Sequence, residues 1–231
     1  PFGNLDISIT NSTIFMAIAV GIFYLLYKIN IANGKLIPER WQSVLELTYE
    51  FIHNMVKDTI GKEGAAYFPL IFTLFVFIGI MNLVGIIPYT FTPTAHIAVT
   101  FGLSLTIFLA VTFIGLVRHK ADFFSMFLPA GSPIALAPFL IIIEFISHGI
   151  KAISLGVRLA ANLTAGHLLF AILSGFTWKL LIAGSYFSLI SIFPFLIILF
   201  ITGLEIAVAV IQVYVFCILT SIYINDSIHL H

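Results

Sequence analysis

The sequence predicts an all-α polytopic membrane protein. Of its 231 residues, 61% are hydrophobic and 9% are charged, whereas soluble proteins carry about 25% charged residues. The apolar residues form continuous runs instead of alternating with polar ones, which excludes the strand pattern of a β-barrel. We expect one membrane domain, residues 1–231, with an N-terminal span, an amphipathic surface helix, two further spans and two long, strongly tilted helices that form a hairpin.

The first two predicted elements are a span and a surface helix. Residues 7–28 are long enough to cross the bilayer once the uncharged flank from Ile7 is included. Residues 38–60 carry apolar side chains at three- and four-residue spacing, and Pro38 suits an early helical turn. This pattern is typical of an amphipathic helix on the membrane surface. The chain begins with Pro1 and has no initiator Met, so we expect this end to be processed or incomplete.

Two further apolar segments, residues 67–88 and 96–117, each have the length of one crossing. Basic residues cluster before the first of these spans, at positions 28–62, and after the second, at positions 118–120. Two spans separate the clusters, so both fall on one side of the membrane, which the positive-inside rule makes the cytoplasm or matrix. This count places the N-terminus outside and the C-terminus in the matrix.

The last hundred residues contain two apolar runs, 133–176 and 184–225, each about twice as long as a perpendicular crossing needs. At ~1.5 Å per residue, the first run would form a helix about 66 Å long, against a hydrocarbon core of about 30 Å. Neither run has a strong central turn signal. We therefore expect two long, slanted helices joined by a turn through residues 177–183.

Ionisable side chains inside the predicted membrane helices mark a candidate functional site, because charge is costly in hydrocarbon. At 100° per residue, five polar residues of the first long helix share one stripe. They are Glu144, His148, Lys151, Arg158 and Asn162. His167 falls on the side opposite Arg158, while Glu205 and Gln212 share a face of the last helix and Asp226 lies at its end.

Two packing questions stay open at this point. Antiparallel pairing about residue 180 sets His167 level with residue 193 and Arg158 level with residue 202. One stagger would bring Glu205 to Arg158 as a structural ion pair, and another would bring it to His167. Small residues recur every fourth position, at Ala152, Gly156, Ala160 and Thr164. They let another helix approach closely, either from this chain or from a partner.

Other functional classes find no support in the composition. Ten Lys and Arg balance ten Asp and Glu, so no basic surface exists for a nucleic acid. Cys217 is the only cysteine and has no second thiol to share a metal. There is no Walker sequence, so we expect no direct nucleotide binding, and we predict no cofactor and no metal site.

Residues 156–169, GVRLAANLTAGHLL, resemble a signature of subunit a of F-type ATP synthases, the membrane stator that faces the rotating c-ring. The resemblance extends to residues 81–94, 204–216 and 223–226, and with the helix order it covers nearly the whole chain. It implies a non-catalytic, proton-translocating subunit whose last two helices are long and nearly horizontal. The implied partners are the c-ring, peripheral-stalk and other membrane-sector subunits, and lipid.

The resemblance also implies residue roles. Arg158 matches the essential arginine that faces the c-ring carboxylate and separates two offset half-channels. Asn162, His167, Glu205 and Gln212 match the outer half-channel, and Glu144 and Asp226, with His148 close by, match the inner one. His148 and Lys151 match no general family position. His at 167 with Glu at 205 is similar to the mitochondrial and α-proteobacterial form, which implies the mitochondrial inner membrane ahead of a bacterial plasma membrane.

Two alternatives belong to other functional classes. A proton-coupled secondary transporter would show inverted repeats and paired broken helices, and the sequence shows neither. A structural membrane subunit would keep full activity when Arg158 and Glu205 are jointly replaced by apolar residues.

Overall fold

The computed structural model describes residues 10–32, 40–87, 90–120, 137–184 and 190–229. Within these ranges the chain is helical and contains no strand, which confirms the predicted all-α class. The α-helices are α1 (Asn11–Ala32), α2 (Arg40–Ile60), α3 (Phe68–Ile86), α4 (Ile97–His119), α5 (Ala137–Ile182) and α6 (Ile192–Ile228). Short 3-10 helices, Gly61–Ala66 and Pro93–Ala95, precede α3 and α4.

Five described helices, all except α2, are long and apolar enough to cross a membrane. Parts of the predicted boundaries, at residues 7–9, 38–39, 88 and 133–136, fall outside the described residues. At ~1.5 Å per residue, α5 is about 69 Å long and α6 about 56 Å, so each exceeds the hydrocarbon thickness of about 30 Å. Their tilt in the bilayer stays a prediction.

The turn between the two long helices lies later than predicted. Helix α5 continues through residues 177–182, where the turn was predicted, and α6 begins at Ile192. No breaker interrupts α5 there, and the Thr177 hydroxyl donates to the Leu173 carbonyl at 2.7 Å, inside the helix. Gly184 follows with a φ of +113°, a conformation that favours glycine and ends the helix.

The later turn sets the register of α5 against α6. Three contacts mark this register. Lys151 Nζ lies 6.0 Å from the ring centroid of Tyr223, the Asn162 amide meets Gln212, and the His167 ring meets Glu205. The midpoints of these pairs fall at residues 187, 187 and 186. The two helices are therefore antiparallel, and their centre lies six or seven residues beyond the predicted one.

Helix α6 is the central element, since it packs against α2, α3, α4 and α5. Phe216 and Ile224 of α6 are fully buried with Ile52 of α2 and Ile71 of α3. Helix α2 buries one face of its second half, while its Trp41 is 72% exposed, as expected of an amphipathic helix. Its placement on the membrane surface stays a prediction.

The small-residue stripe packs against this chain's own α4. A Cβ built on Gly156 would lie 2.5 Å from Ser104 Oγ and 3.0 Å from Phe101 Cα, so the two backbones approach closely. Ala152 and Ala160, one turn to each side, are buried. The intramolecular alternative for this stripe is therefore the one observed.

The two ends of the helix bundle differ in charge: contacts of Arg118, Glu63 and His119 lie at one end, and an uncharged hydroxyl contact lies at the other. At one end Arg118 Nη2 lies 2.6 Å from Glu63 Oε2, and the His119 Nε2 and Ile228 carbonyl oxygen are 2.9 Å apart. The contact between Arg118 and Glu63 brings together the charged segment before α3 and the one after α4, which were expected on one side of the membrane. At the other end the Thr164 hydroxyl donates to the Ala95 carbonyl at 3.0 Å.

Candidate functional site

Arg158 lies near the middle of α5 and is exposed. Its Nη2 donates to Ser154 Oγ at 3.4 Å, one helical turn earlier. In the described parts of the chain, no carboxylate lies within 4.0 Å of its guanidinium. Two residues along a helix turn the side chain by about 200°, so Arg158 points away from the face that Gly156 packs on α4. A permanent positive charge thus stands on an outward face of an apolar helix.

Glu205 lies beside His167, so the structure does not support an Arg158–Glu205 ion pair. Its Oε1 is 4.0 Å from His167 Nδ1, and the two side chains are 10% and 39% exposed. The later turn explains why Glu205 meets His167 and not Arg158, because it places Glu205 opposite the C-terminal half of α5. The acid and the histidine face each other across the α5–α6 contact.

The residues predicted for the outer half-channel come together in one place. A cleft of about 210 Å³ opens between α5 and α6, and Asn162, Glu205 and Gln212 line it. Asn162 Nδ2 donates to Gln212 Oε1 at 2.9 Å. Within the described residues, the buried atoms Glu205 Oε1 and Gln212 Nε2 have no hydrogen-bond partner. Such a cleft has room for several water molecules, and its unsatisfied polar atoms favour them.

A second polar cluster contains the residues predicted for the inner half-channel. Lys151, Glu144 and Asp226 are the charged neighbours of His148, whose ring centroid lies 4.9 Å from that of Phe108 in α4. Asp226 of α6 thus joins the α5 residues. Tyr223, which the sequence reasoning left without a role, has Arg158 and Asp226 as its charged neighbours. Its ring centroid also lies 6.0 Å from Lys151 Nζ.

The two clusters lie on either side of Arg158 and near opposite ends of the bundle. Along α5, His167 is about 13 Å and His148 about 15 Å from Arg158 by the helical rise. His167 contacts Thr92, in the segment before α4, with 3.1 Å between its Nε2 and Thr92 Oγ1. Asp226 lies two residues before Ile228, which contacts the end of α4. Protonatable groups therefore approach the arginine from both ends.

Thr92 is a contact residue of His167 that the sequence reasoning did not single out. It is buried, and its hydroxyl donates to the Gly85 carbonyl at 3.2 Å. The one available signal was its place inside the 81–94 stretch, directly before Pro93. Among the described residues, no group of three or more His, Cys, Asp and Glu side chains is arranged to hold a metal ion.

The chain is similar to known proteins over nearly its whole length. The sequence model of the family described as "ATP synthase A chain" matches residues 10–225. ATP synthase subunit a of Metridium senile is 53% identical over 225 residues, covering 97% of this chain and 94% of that protein. The subunit a of Marchantia polymorpha is 45% identical over 233 residues, covering 99% and 92%. That of Rhodospirillum rubrum is 47% identical over 227 residues, covering 98% and 92%.

Proposed function

This chain belongs to the ATP synthase subunit a family, and from that premise we propose that it forms two offset proton half-channels separated by Arg158. Family membership makes it a multi-pass membrane subunit that takes part in ion transport and ATP synthesis. Its role is non-catalytic, and the nucleotide chemistry belongs to other subunits. The c-ring is the partner that faces Arg158.

One observation carries the proposal. Arg158 is a charged, exposed side chain in an apolar helix, and in the described residues no carboxylate pairs with it. An uncompensated cation in lipid is strongly unfavourable, which favours an anion supplied by a neighbouring subunit. A carboxylate on a neighbouring membrane helix meets this requirement.

The surface around Arg158 favours the close approach of such a helix. Exposed residues with small or short side chains follow the same side of α5 at three- and four-residue spacing. They are Ser154, Val157, Ala161 and Ala165. Small side chains allow two helix backbones to approach, which would bring the partner carboxylate near the guanidinium.

The polar clusters then serve the two sides of the membrane. A proton entering from the outer side passes the Glu205 and His167 pair and the Asn162 and Gln212 amides to the ring carboxylate. Near Arg158 that carboxylate favours its ionised form, because an opposite charge stabilises it, while the arginine stays charged. The c-ring turns between the two half-channels, and the proton released near Arg158 leaves past Glu144, His148 and Asp226, so proton flow is coupled to ring rotation and ATP synthesis. Each charge that crosses gains about 2.3 kcal/mol per 100 mV.

The orientation follows from the charged end of the bundle. Arg118, Glu63 and the C-terminal end of α6 lie together there, and the positive-inside rule makes this end the matrix side. The N-terminus then faces the intermembrane space. The two long helices exceed the bilayer thickness and are proposed to lie strongly tilted. The placement of His167 and Glu205 supports a mitochondrial inner membrane.

The test is proton movement in membrane vesicles that carry the assembled complex with Arg158→Gln. We expect ATP-driven acidification to be lost and passive proton leak to rise, because the fixed charge between the half-channels is gone. Arg118→Gln is the matched control, since this arginine already pairs with Glu63. Acidification at a normal rate by an assembled Arg158→Gln complex would refute the assignment.

A further inference from the structure

The C-terminal end of α3 is capped by two threonine hydroxyls. The last carbonyls of a helix have no donor within it, so they need partners from elsewhere. The Thr90 hydroxyl lies 2.6 Å from the Val84 carbonyl oxygen and 2.7 Å from that of Ile87. The Thr92 hydroxyl donates to the Gly85 carbonyl at 3.2 Å. Both threonines therefore direct their single hydroxyl proton to the helix end.

The direction of the Thr92 hydroxyl proton determines whether Thr92 donates a hydrogen bond to His167 or accepts one from it. A hydroxyl has one hydrogen to donate and two lone pairs, whereas a carbonyl can only accept. Since the Thr92 hydrogen points to Gly85, its oxygen must accept from His167 Nε2, which lies 3.1 Å away. Neutral His167 is then protonated at Nε2, and its Nδ1 carries the lone pair.

The other ring nitrogen faces the acid. His167 Nδ1 lies 4.0 Å from Glu205 Oε1, a buried atom without a hydrogen-bond partner among the described residues. Carboxylate and imidazole at this separation reach hydrogen-bond distance by a small side-chain movement. From this geometry we propose that Thr92 is a positioning residue, which holds His167 so that it exchanges protons with Glu205 through Nδ1 alone. This inference rests on the proposed proton-channel function.

The proton exchange is balanced in both directions. When Glu205 is protonated, its O–H bond breaks and an Nδ1–H bond forms, which leaves a carboxylate facing an imidazolium. The Nε2–H bond to Thr92 is unchanged, so one ring orientation serves both states. The Thr92 hydroxyl hydrogen is already bound to the Gly85 carbonyl, so Thr92 offers the ring proton no onward path. The proton on Nδ1 therefore returns to Glu205. His167 is thus a store for one proton beside Glu205.

The surroundings of Thr92 hold it in this role. The side chain is 6% exposed, and a β-branched residue has few χ1 rotamers. A Cβ built on Gly85 would clash with the Thr92 side chain, so only glycine at this position admits the threonine. If Thr92 donated to the ring instead, the Gly85 carbonyl would lose this donor.

The first experiment measures the His167 ring directly. The intact complex is labelled with 15N-histidine, and the His167 signals are assigned by their absence from His167→Gln. At a pH where the ring is neutral, nitrogen chemical shifts distinguish protonated from bare ring nitrogens. We expect Nε2–H in the wild type and in Thr92→Ser, and a mixture of tautomers in Thr92→Val. A wild-type ring protonated at Nδ1 would overturn the proposal, whether or not the variants assemble.

The second experiment separates ring positioning from helix capping. Thr90→Val is the matched control, because Thr90 caps the same helix end through Val84 and Ile87. We expect Thr92→Val to lower ATP-driven proton pumping by about tenfold or more, while Thr92→Ser and Thr90→Val keep most of it. Equal losses in Thr90→Val and Thr92→Val, or none in Thr92→Val, would contradict the proposal.

The two measurements also keep this inference separate from the proposed function. The nitrogen spectrum reports the ring whether or not the complex pumps protons. Normal pumping by Arg158→Gln would remove the proposed function and leave the Nε2–H assignment standing. Loss of pumping in Arg158→Gln together with a ring protonated at Nδ1 would support the proposed function and overturn the role of Thr92.

Discussion

Gly166 and Glu205 approach each other so closely that a Cβ built on residue 166 would lie 2.6 Å from Oε1 and 2.8 Å from Cδ of the glutamate. The glycine therefore makes the space in which the carboxylate faces His167. The atoms in the way belong to the end of a flexible side chain and not to the backbone. A larger residue at 166 would displace the carboxylate and leave the helix pair in place.

We expect Gly166→Ala to assemble normally and to pump protons ten- to a hundredfold more slowly, since displacement of a reacting group by about 1 Å can have an effect of this order. Pumping is measured as ATP-driven acidification per assembled complex. Gly175→Ala is the control on the same helix, because a Cβ there meets nothing within 4 Å. Equal rates for the two variants would show that Glu205 needs no fixed position.

Gly156→Ala is expected to act on assembly instead. A Cβ at this position would lie 2.9 Å from the Thr100 carbonyl oxygen and 3.0 Å from Phe101 Cα, and these backbone atoms cannot turn aside. Forcing α4 and α5 apart should destabilise the subunit by about 1–3 kcal/mol. The yield and thermal stability of the purified complex measure this. Gly149→Ala, with nothing within 4 Å, should match the wild type.

The hydrogen bond from Asn162 to Gln212 predicts coupled effects on proton pumping. Asn162→Ala leaves Gln212, which is 5% exposed, without the donor to its Oε1, and Gln212→Leu leaves the Asn162 amide without its acceptor. Each single variant should slow pumping, and the double variant should be faster than the product of the two effects predicts. The expected coupling is about 0.5–1.5 kcal/mol. Strictly additive effects would mean that the two amides act independently.

The Arg118–Glu63 salt bridge predicts a small effect. The two side chains are 40% and 45% exposed, and solvent screens such pairs to about 0–1 kcal/mol. Glu63→Gln should therefore lower the melting temperature of the complex slightly in dilute buffer. The difference should vanish at 1 M salt, where the screening length is about 3 Å. A loss that persists at high salt would point to a packing role for Glu63.

Local information was sufficient for the helices and for the location of charge. Continuous apolar runs predict membrane helices because hydropathy and helix formation depend on neighbouring residues, and the all-α class is confirmed. The 100° spacing placed Arg158 and Asn162 on one stripe of α5 and His167 on the side opposite Arg158. The position of a side chain around its own helix does not depend on a second helix, so it could be derived from the order of residues alone.

The tertiary structure decided which polar groups meet. Helix α5 runs on to Ile182, so the centre of the hairpin lies six residues later for the His167–Glu205 pair, and the residue opposite His167 becomes Glu205 instead of 193. When the centre of the hairpin shifts by six residues, the residue opposite any given position shifts by twelve. No local pattern predicts where that turn lies. Thr92 reaches His167 across 75 positions of sequence, with no periodicity to announce it. Such contacts arise when whole helices pack, because their free energy belongs to the assembled surfaces and not to either segment.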